Sequence, residues 1–227
     1  FIRSPWGQDI IVDQLVSYVE GKTGTEVQVD GLYFTFDGDI QANGVYLEDT
    51  KGDTLIYSRT LNADIPLIPI VMGGAISIDN VEWEGLTARI KRKDTVEGFN
   101  FQFLADAFAT APDTTSSKPL DLSFGSGDLR DFDILFDDAV TGMKADVEFD
   151  QLDVVMDQLD FENMKYTLNE LRIENAKIDY FMNEPSVASE SSSADEQEES
   201  TLPFLAAQNI RLSKVDFLFK SEVDGLE

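Results

Sequence analysis

The chain contains no cysteine and no histidine. The first absence excludes a disulfide framework and a cysteine nucleophile. The second removes the histidine base that a Ser-His-Asp triad requires. Together they take away the nitrogen and sulfur ligands of a typical zinc site. Positive charge is also scarce. Lys and Arg number 17 against 44 Asp and Glu, a formal net charge of −27. Nucleic-acid binding needs clustered Lys and Arg on phosphates. Docking on an anionic membrane surface needs the same clusters, so this balance argues against both. No apolar run reaches the roughly 18 residues that a membrane-spanning helix needs. No Gly-rich loop followed by Lys and Ser or Thr occurs, which excludes a P-loop.

What is present favours strands. Of the 227 residues, 42% are hydrophobic, and the aromatics are mostly Phe, with 16. These rings sit in segments rich in Val, Ile and Leu, the composition of a pleated, half-buried surface. The length allows one large domain or two small ones. A chain of this size buries roughly 70% of its unfolded surface, enough for a core. The acidic excess reads first as solubility and self-repulsion.

The first element reads as a helix. Ser4 before Pro5 is a candidate N-cap with Pro at the first helical position. Ile10, Ile11, Val12, Leu15, Val16, Tyr18 and Val19 form an apolar stripe at helical spacing, with Asp9, Asp13, Gln14 and Glu20 mostly opposite. This amphipathic pattern predicts a helix that caps the end of a sheet, favoured over a membrane-surface helix because the polar face is acidic. Gly21 and Gly24 are stop signals.

After Gly24 the period becomes that of strands. One pattern recurs: apolar, two residues, apolar, one, apolar, one, apolar. It appears at Val29, Leu32, Phe34, Phe36; at Leu129, Phe132, Ile134, Phe136; and at Phe149, Leu152, Val154, Met156. It returns at Phe161, Met164, Tyr166, Leu168; at Ile173, Ala176, Ile178, Tyr180; and at Leu212, Val215, Phe217, Phe219. Ile78, Val81 and Trp83 make a partial copy that ends at Gly85. Alternating positions share one face of a strand. The two-residue gap therefore predicts a bulge, bend or turn that returns the first position to that face. The copies starting at Phe149, Phe161 and Ile173 are 12 residues apart, which suggests successive strands of an antiparallel meander. Polar residues fill the alternate positions, among them Asp131, Asp133, Glu148, Asp150, Glu162, Lys165, Asp179, Lys214 and Asp216. The sheet is expected to have one apolar and one wet, acidic face.

The organisation expected is residues 1–24 as helix and cap, 25–109 as a first β segment and 110–119 as a loop. Residues 120–183 make a second β meander, 184–203 a Ser- and Glu-rich acidic disordered linker, and 204–227 further, truncated strand. The prolines of Pro66 to Gly74 argue for a short helix or a buried crossover there rather than a central strand. Phe101 to Phe108 reads as a short helix, and Gly125-Ser126-Gly127 as a bend or bulge between two strand patterns.

Carboxylate pairs are the remaining candidates for chemistry. Asp137 with Asp138, or Asp146, Glu148 and Asp150, have the residue types of a calcium site or a glycosidase pair. No EF-hand spacing accompanies them, and with 44 acidic residues neighbours arise by chance. No catalytic residue, metal site or cofactor is expected, and the protein is read as a non-enzyme.

An ordered series of segments resembles a known family. Ser4-Pro5-Trp6-Gly7-Gln8, then the helix, Lys22-Thr23-Gly24-Thr25 and Val27-Gln28-Val29 open it. Tyr46-Leu47-Glu48-Asp49, Lys51-Gly52-Asp53-Thr54-Leu55 and Val81-Glu82-Trp83-Glu84-Gly85-Leu86 continue it. The series resembles the start of AsmA/TamB-type envelope proteins, in particular the TamB-like translocation and assembly module proteins of Bacteroidota. It covers roughly residues 1–110, and the later strands by pattern. The resemblance implies a β-sheet curved into an open trough, a β-taco, with an apolar inner face. It implies a periplasmic segment anchored in the inner membrane by a helix upstream of Phe1. It implies conduction of phospholipid between the membranes, or support of outer-membrane protein assembly and secretion with a barrel of the TamA type. That barrel would be met through C-terminal parts beyond this chain. The start at Phe1, with neither initiator Met nor signal peptide, and the stop at Glu227 agree with a fragment of such a protein.

The residues expected to line an apolar groove for acyl chains are Phe34, Phe36, Trp83, Phe132, Ile134, Phe136, Phe149, Val154, Met156, Ile178, Tyr180, Phe217 and Phe219. The same residues could fill a closed β-core. An adhesin-like repeat scaffold, or a chaperone offering sheet edges to outer-membrane strands, would share the pattern.

Overall fold

The computed structural model describes residues 5–34, 39–65, 76–108, 122–160, 165–184 and 204–222. The fold is mainly β, with one open nine-stranded sheet that does not close into a barrel. The chain enters through helix α1 (Pro5–Thr23). Gly24 ends it. Its φ of 71° is left-handed, and its N–H donates to the Glu20 carbonyl at 2.8 Å, the bond of an αL C-cap. Gly21, expected to help stop the helix, lies inside it. Helix α1 contacts β1 (Val27–Gln28), β2 (Gly31–Phe34) and the short helix α2 (Gln102–Phe108). Val12, Val16 and Val19 are half-buried there, whereas Leu15 and Tyr18 of the expected stripe are exposed. Two short strands and a seven-residue helix offer too little surface to cover the whole stripe.

Seven longer strands make the body of the sheet. They are β3 (Asp39–Glu48), β4 (Thr54–Asp64), β5 (Ile76–Arg92), β6 (Leu122–Asp138), β7 (Met143–Asp160), β8 (Lys165–Met182) and β9 (Phe204–Ser221). They lie in chain order, with β1 and β2 both paired to β3. The expected loop at 110–119, the Pro66–Gly74 connection and the linker at 184–203, Glu184 apart, lie outside the described residues.

The pairing corrects the purely antiparallel meander. β5–β6 and β8–β9 are parallel, so the sheet is mixed. A tight turn can only join antiparallel strands, and a parallel return needs about a dozen residues or more. Residues 93–121 and 183–203 supply that length. The 12-residue spacing is also not a strand repeat. The copies at Phe149 and Ile173 lie on the neighbouring strands β7 and β8, each 18 residues long. The copy at Phe161 starts between those strands, and its first two apolar residues lie outside the described residues. Gly85 does not end its pattern, because β5 runs through it to Arg92. Likewise Gly125-Ser126-Gly127 lies within β6.

The two-residue gap has a structural counterpart that crosses the sheet. The ladder passes over one residue on each long strand at the same level: Gly44, Arg59, Gly85, Asp131, Asp150, Asn175 and Lys214. Five of them are left-handed, with φ of 58° at Gly44, 72° at Gly85, 53° at Asp131, 49° at Asn175 and 52° at Lys214. Those five sit on the strands that run one way. Arg59 and Asp150 sit on β4 and β7, which run the other way, and have no positive φ. Each strand contributes one such residue, so the register resumes unchanged beyond it. The result is a crease across β3 to β9. It turns Trp83 and Leu86, Leu129 and Phe132, and Ile173 and Ala176 onto one face, where all six join a single apolar cluster.

Candidate functional site: the apolar face of the sheet

Cross-strand register arranges the apolar side chains in five transverse rows. The row beside the crease reads Val45, Ser58, Leu86, Phe132, Phe149, Ala176, Val215. Across the crease it faces Ala42, Leu61, Trp83, Leu129, Leu152, Ile173, Leu212. Further rows carry Ile134, Val147, Ile178 and Phe217, then Phe136, Ala145, Tyr180 and Phe219. The fifth carries Gly127, Val154, Leu171 and Ile210. Directly opposed side chains on a sheet share a face, so each row is a continuous stripe, apolar except at Ser58.

The thirteen candidate residues map onto this face as follows. Trp83, Phe132, Ile134, Phe136, Phe149, Val154, Ile178, Tyr180, Phe217 and Phe219 stand in the rows. Met156 lies just beyond them, opposite Leu168. Phe34 pairs with Ile40 at the far edge, in line with the fifth row. Phe36 lies outside the described residues. Leu86, Ala88 and Ile90 of β5 belong to the face but were not among the candidates. Their signal was available: Trp83, Leu86, Ala88 and Ile90 repeat the same spacing, hidden when Gly85 is read as an end.

Ring contacts run along the face. Trp83 meets Phe132 edge-on at 5.4 Å between centroids, and Phe132 stacks on Phe149 at 4.9 Å. Tyr180 stacks on Phe219 at 5.8 Å. Trp83 spends its one polar group on Ser58, its Nε1 donating to the Ser58 hydroxyl at 2.7 Å. Burial is graded along the sheet. Phe132 is 6% exposed and Phe149 8%, but Phe217 is 65% and Phe219 51% exposed. The centre of the face is therefore a packed core, and its β9 end is open.

The opposite face carries the charge, as the alternate positions require. A shallow depression of about 620 Å³ at the crease is lined by Asp131, Asp133, Glu148, Asp150, Asn175, Lys177, Lys214 and Asp216, together with Phe132, Phe149 and Ala176. Arg59 reaches over Gly85 to pair with Asp131 at 3.3 Å while holding Glu84 at 2.7 Å. A Cβ at Gly85 would lie 2.7 Å from the Arg59 Cβ, so the crossing needs glycine. Arg89 holds Asp133 at 2.5 Å. These cross-strand pairs offset part of the repulsion among the carboxylates.

Asp138 is 3% exposed and accepts from the Arg92 guanidinium, the Thr141 hydroxyl and the Val140 N–H. The Arg92 contact, aided by Thr141 and Val140, outweighs burial and holds this carboxyl far below the usual range. Asp138 is thus a fixed anion clamping the β6–β7 turn, the opposite of a proton donor. Asp49 is similar. Burial pushes its pKa up, but the N–H groups of Lys51 and Asp53 and the Asn100 amide hold it lowered. Among the described residues no group of three or more Asp or Glu is placed to hold a metal ion. No described helix is long and apolar enough to cross a membrane.

No family model matches the chain, and no curated protein matches it.

Proposed function

We propose that this chain is a segment of a bacterial envelope protein whose open sheet carries lipid acyl chains along its apolar face. The observation that carries the reading is the set of five apolar rows on one face of an unclosed sheet. Among the described residues no second sheet lies over that face. Its centre is packed, but toward β9 the rows are open, and an exposed apolar surface marks a ligand or partner surface. With strands about 4.8 Å apart, the two rows that flank the crease run about 30 Å from β3 to β9. Acyl chains fit the open part of this span, at its β9 end. Holding them needs no catalytic group. The acidic opposite face keeps such a sheet in water. The resemblance to AsmA/TamB-type proteins supports the same reading. It adds a periplasmic location, an inner-membrane anchor and a barrel partner of the TamA type, the last two through parts beyond this chain.

The test is photo-crosslinking in cells. A benzophenone amino acid placed at Ile178, Tyr180, Phe217 or Phe219 is expected to yield phospholipid adducts. The same residue at Asp179 or Asp216, on the acidic face, is not. Absence of adducts at all four apolar positions, with adducts in a known lipid carrier run alongside, overturns the reading.

A further inference from the structure

Beyond the row of Phe136 and Tyr180 the apolar face ends differently on different strands. Two residues further along each strand, on the same face, the register reads Arg92, Asp138, Met143, Met182, Ser221. On β7 and β8 the face stays apolar through Met143 and Met182. On β5 and β6 it holds an ion pair instead, the Arg92 Nε donating to the Asp138 carboxylate at 2.7 Å. We propose that this pair and the Phe99 ring beside it form a fixed stop, which keeps acyl chains off the β5–β6 corner and directs them over Met143 and Met182. The inference rests on the acyl-chain reading and gives it a path and the residues that set it.

The stop is built by the first residues of the crossover that follows β5. Phe99 pairs directly with Arg92 in an antiparallel bridge. The Arg92 guanidinium lies 4.5 Å from the centroid of the Phe99 ring. That ring meets Phe136 at 5.8 Å and stacks on Phe101 at 5.2 Å. Two rings of the crossover therefore close over the place where the Phe136 row would continue. They are tied down next door by Asn100. Its side-chain oxygen accepts from the Lys91 N–H at 2.9 Å, and its amide donates to the Arg89 carbonyl at 2.9 Å and to Asp49 at 3.3 Å. Asp49 and Asp138 are the two buried carboxylates among the described residues, 4% and 3% exposed. Burial of a carboxylate carries a desolvation cost that its partners only offset, so such a pair adds little net stability. Both nevertheless converge on residues 89–100, and the ring that this segment places is Phe99. The other corner has the opposite character. Methionine is unbranched and deformable, and it adapts to chains of varied shape.

The test places a benzophenone amino acid at Phe136, Met143 or Met182 of the full chain in cells, beside Tyr180 as the reference. All four positions are half-buried, so exposure alone predicts equal labelling. Phospholipid adducts are expected at Tyr180, Met143 and Met182 and not at Phe136. The double variant Phe99→Ala, Phe101→Ala is expected to raise the Phe136 yield to the Met182 level. Circular dichroism shows whether that variant keeps its sheet. Should it not, Asn100→Ala, which unties the segment from Asp49 and leaves both rings, shows a smaller rise. Phe136 labelling equal to that of Met182 in the unsubstituted chain, or no rise in the variants, overturns the stop and leaves the acyl-chain reading standing. So do adducts at Tyr180 with none at Met143 and Met182. No adducts at any of the four positions, in any variant, overturn both.

Discussion

The crease depends on single residues in a backbone region that L-residues avoid. A left-handed conformation costs a residue with a Cβ about 1–2 kcal/mol. Gly85 avoids that cost and also leaves room for Arg59. Gly85→Ala meets both penalties, with a Cβ 2.7 Å from that of Arg59. It is expected to lower stability by roughly 2 kcal/mol or more, read as the urea midpoint. Lys214→Gly is the converse case. Relief of the left-handed backbone and the added entropy loss of glycine nearly offset, so the change stays below about 1 kcal/mol. The existence of a bend was legible at this scale, because a two-residue gap between Leu129 and Phe132 cannot keep both on one face of a regular strand. Its chemistry was not legible. Asp and Asn enter the left-handed region with some ease, but nothing local marks Lys214 for it. Lys214 takes that conformation at the level of Asn175 on the paired strand, where the crease crosses β9.

At the scale of elements, face and direction separate. The apolar face could be read residue by residue, since alternation sets which side chains point together. Strand direction could not, because the same alternation reads identically for parallel and antiparallel neighbours. Only the lengths of 93–121 and 183–203 carried that information. The elements also differ in how much they hold. β6 and β7 form the packed centre, with Phe132 and Phe149 nearly sealed, while β9 lies open. Phe132→Ala is therefore expected to cost about 3–5 kcal/mol, the range for a buried aromatic. Phe217→Ala on β9 should cost less than about 1 kcal/mol. Denaturant melts of the two variants check this. Equal losses would mean that the face is uniformly buried and no open end exists.

For the whole molecule the dominant fact is charge. With a net charge of −27, most carboxylates repel one another, yet two are held as buried anions. Asp138 titrates far below its ordinary value because Arg92 and its other donors stabilise the charged form. The sign follows directly. A carboxyl whose pKa is depressed on folding adds stability above the unfolded value, near 4, and that contribution drains as pH falls toward the folded one. Thermal unfolding midpoints followed from pH 7 downward are expected to fall steadily below about pH 4. Asp138→Asn, which cannot ionise, should start lower at pH 7 and show a shallower acid limb. An identical acid limb in the variant would remove Asp138 from the account.

The crease also governs which changes of length the chain can absorb. Its seven residues are matched in register across neighbouring strands, so a strand that gains one residue beyond the crease must take it up in a bulge, as β4 does at Leu55 opposite the Leu47–Glu48 step. A single insertion in β6 after Asp131 would swap its apolar and acidic faces from there to Asp138, against partners that had not moved. Deletions and insertions are thus taken up in the connections between strands, in bulges near strand ends, or in pairs that cancel. The sheet is in this sense ruled like a page, and its lines fix the length of every sentence written across it.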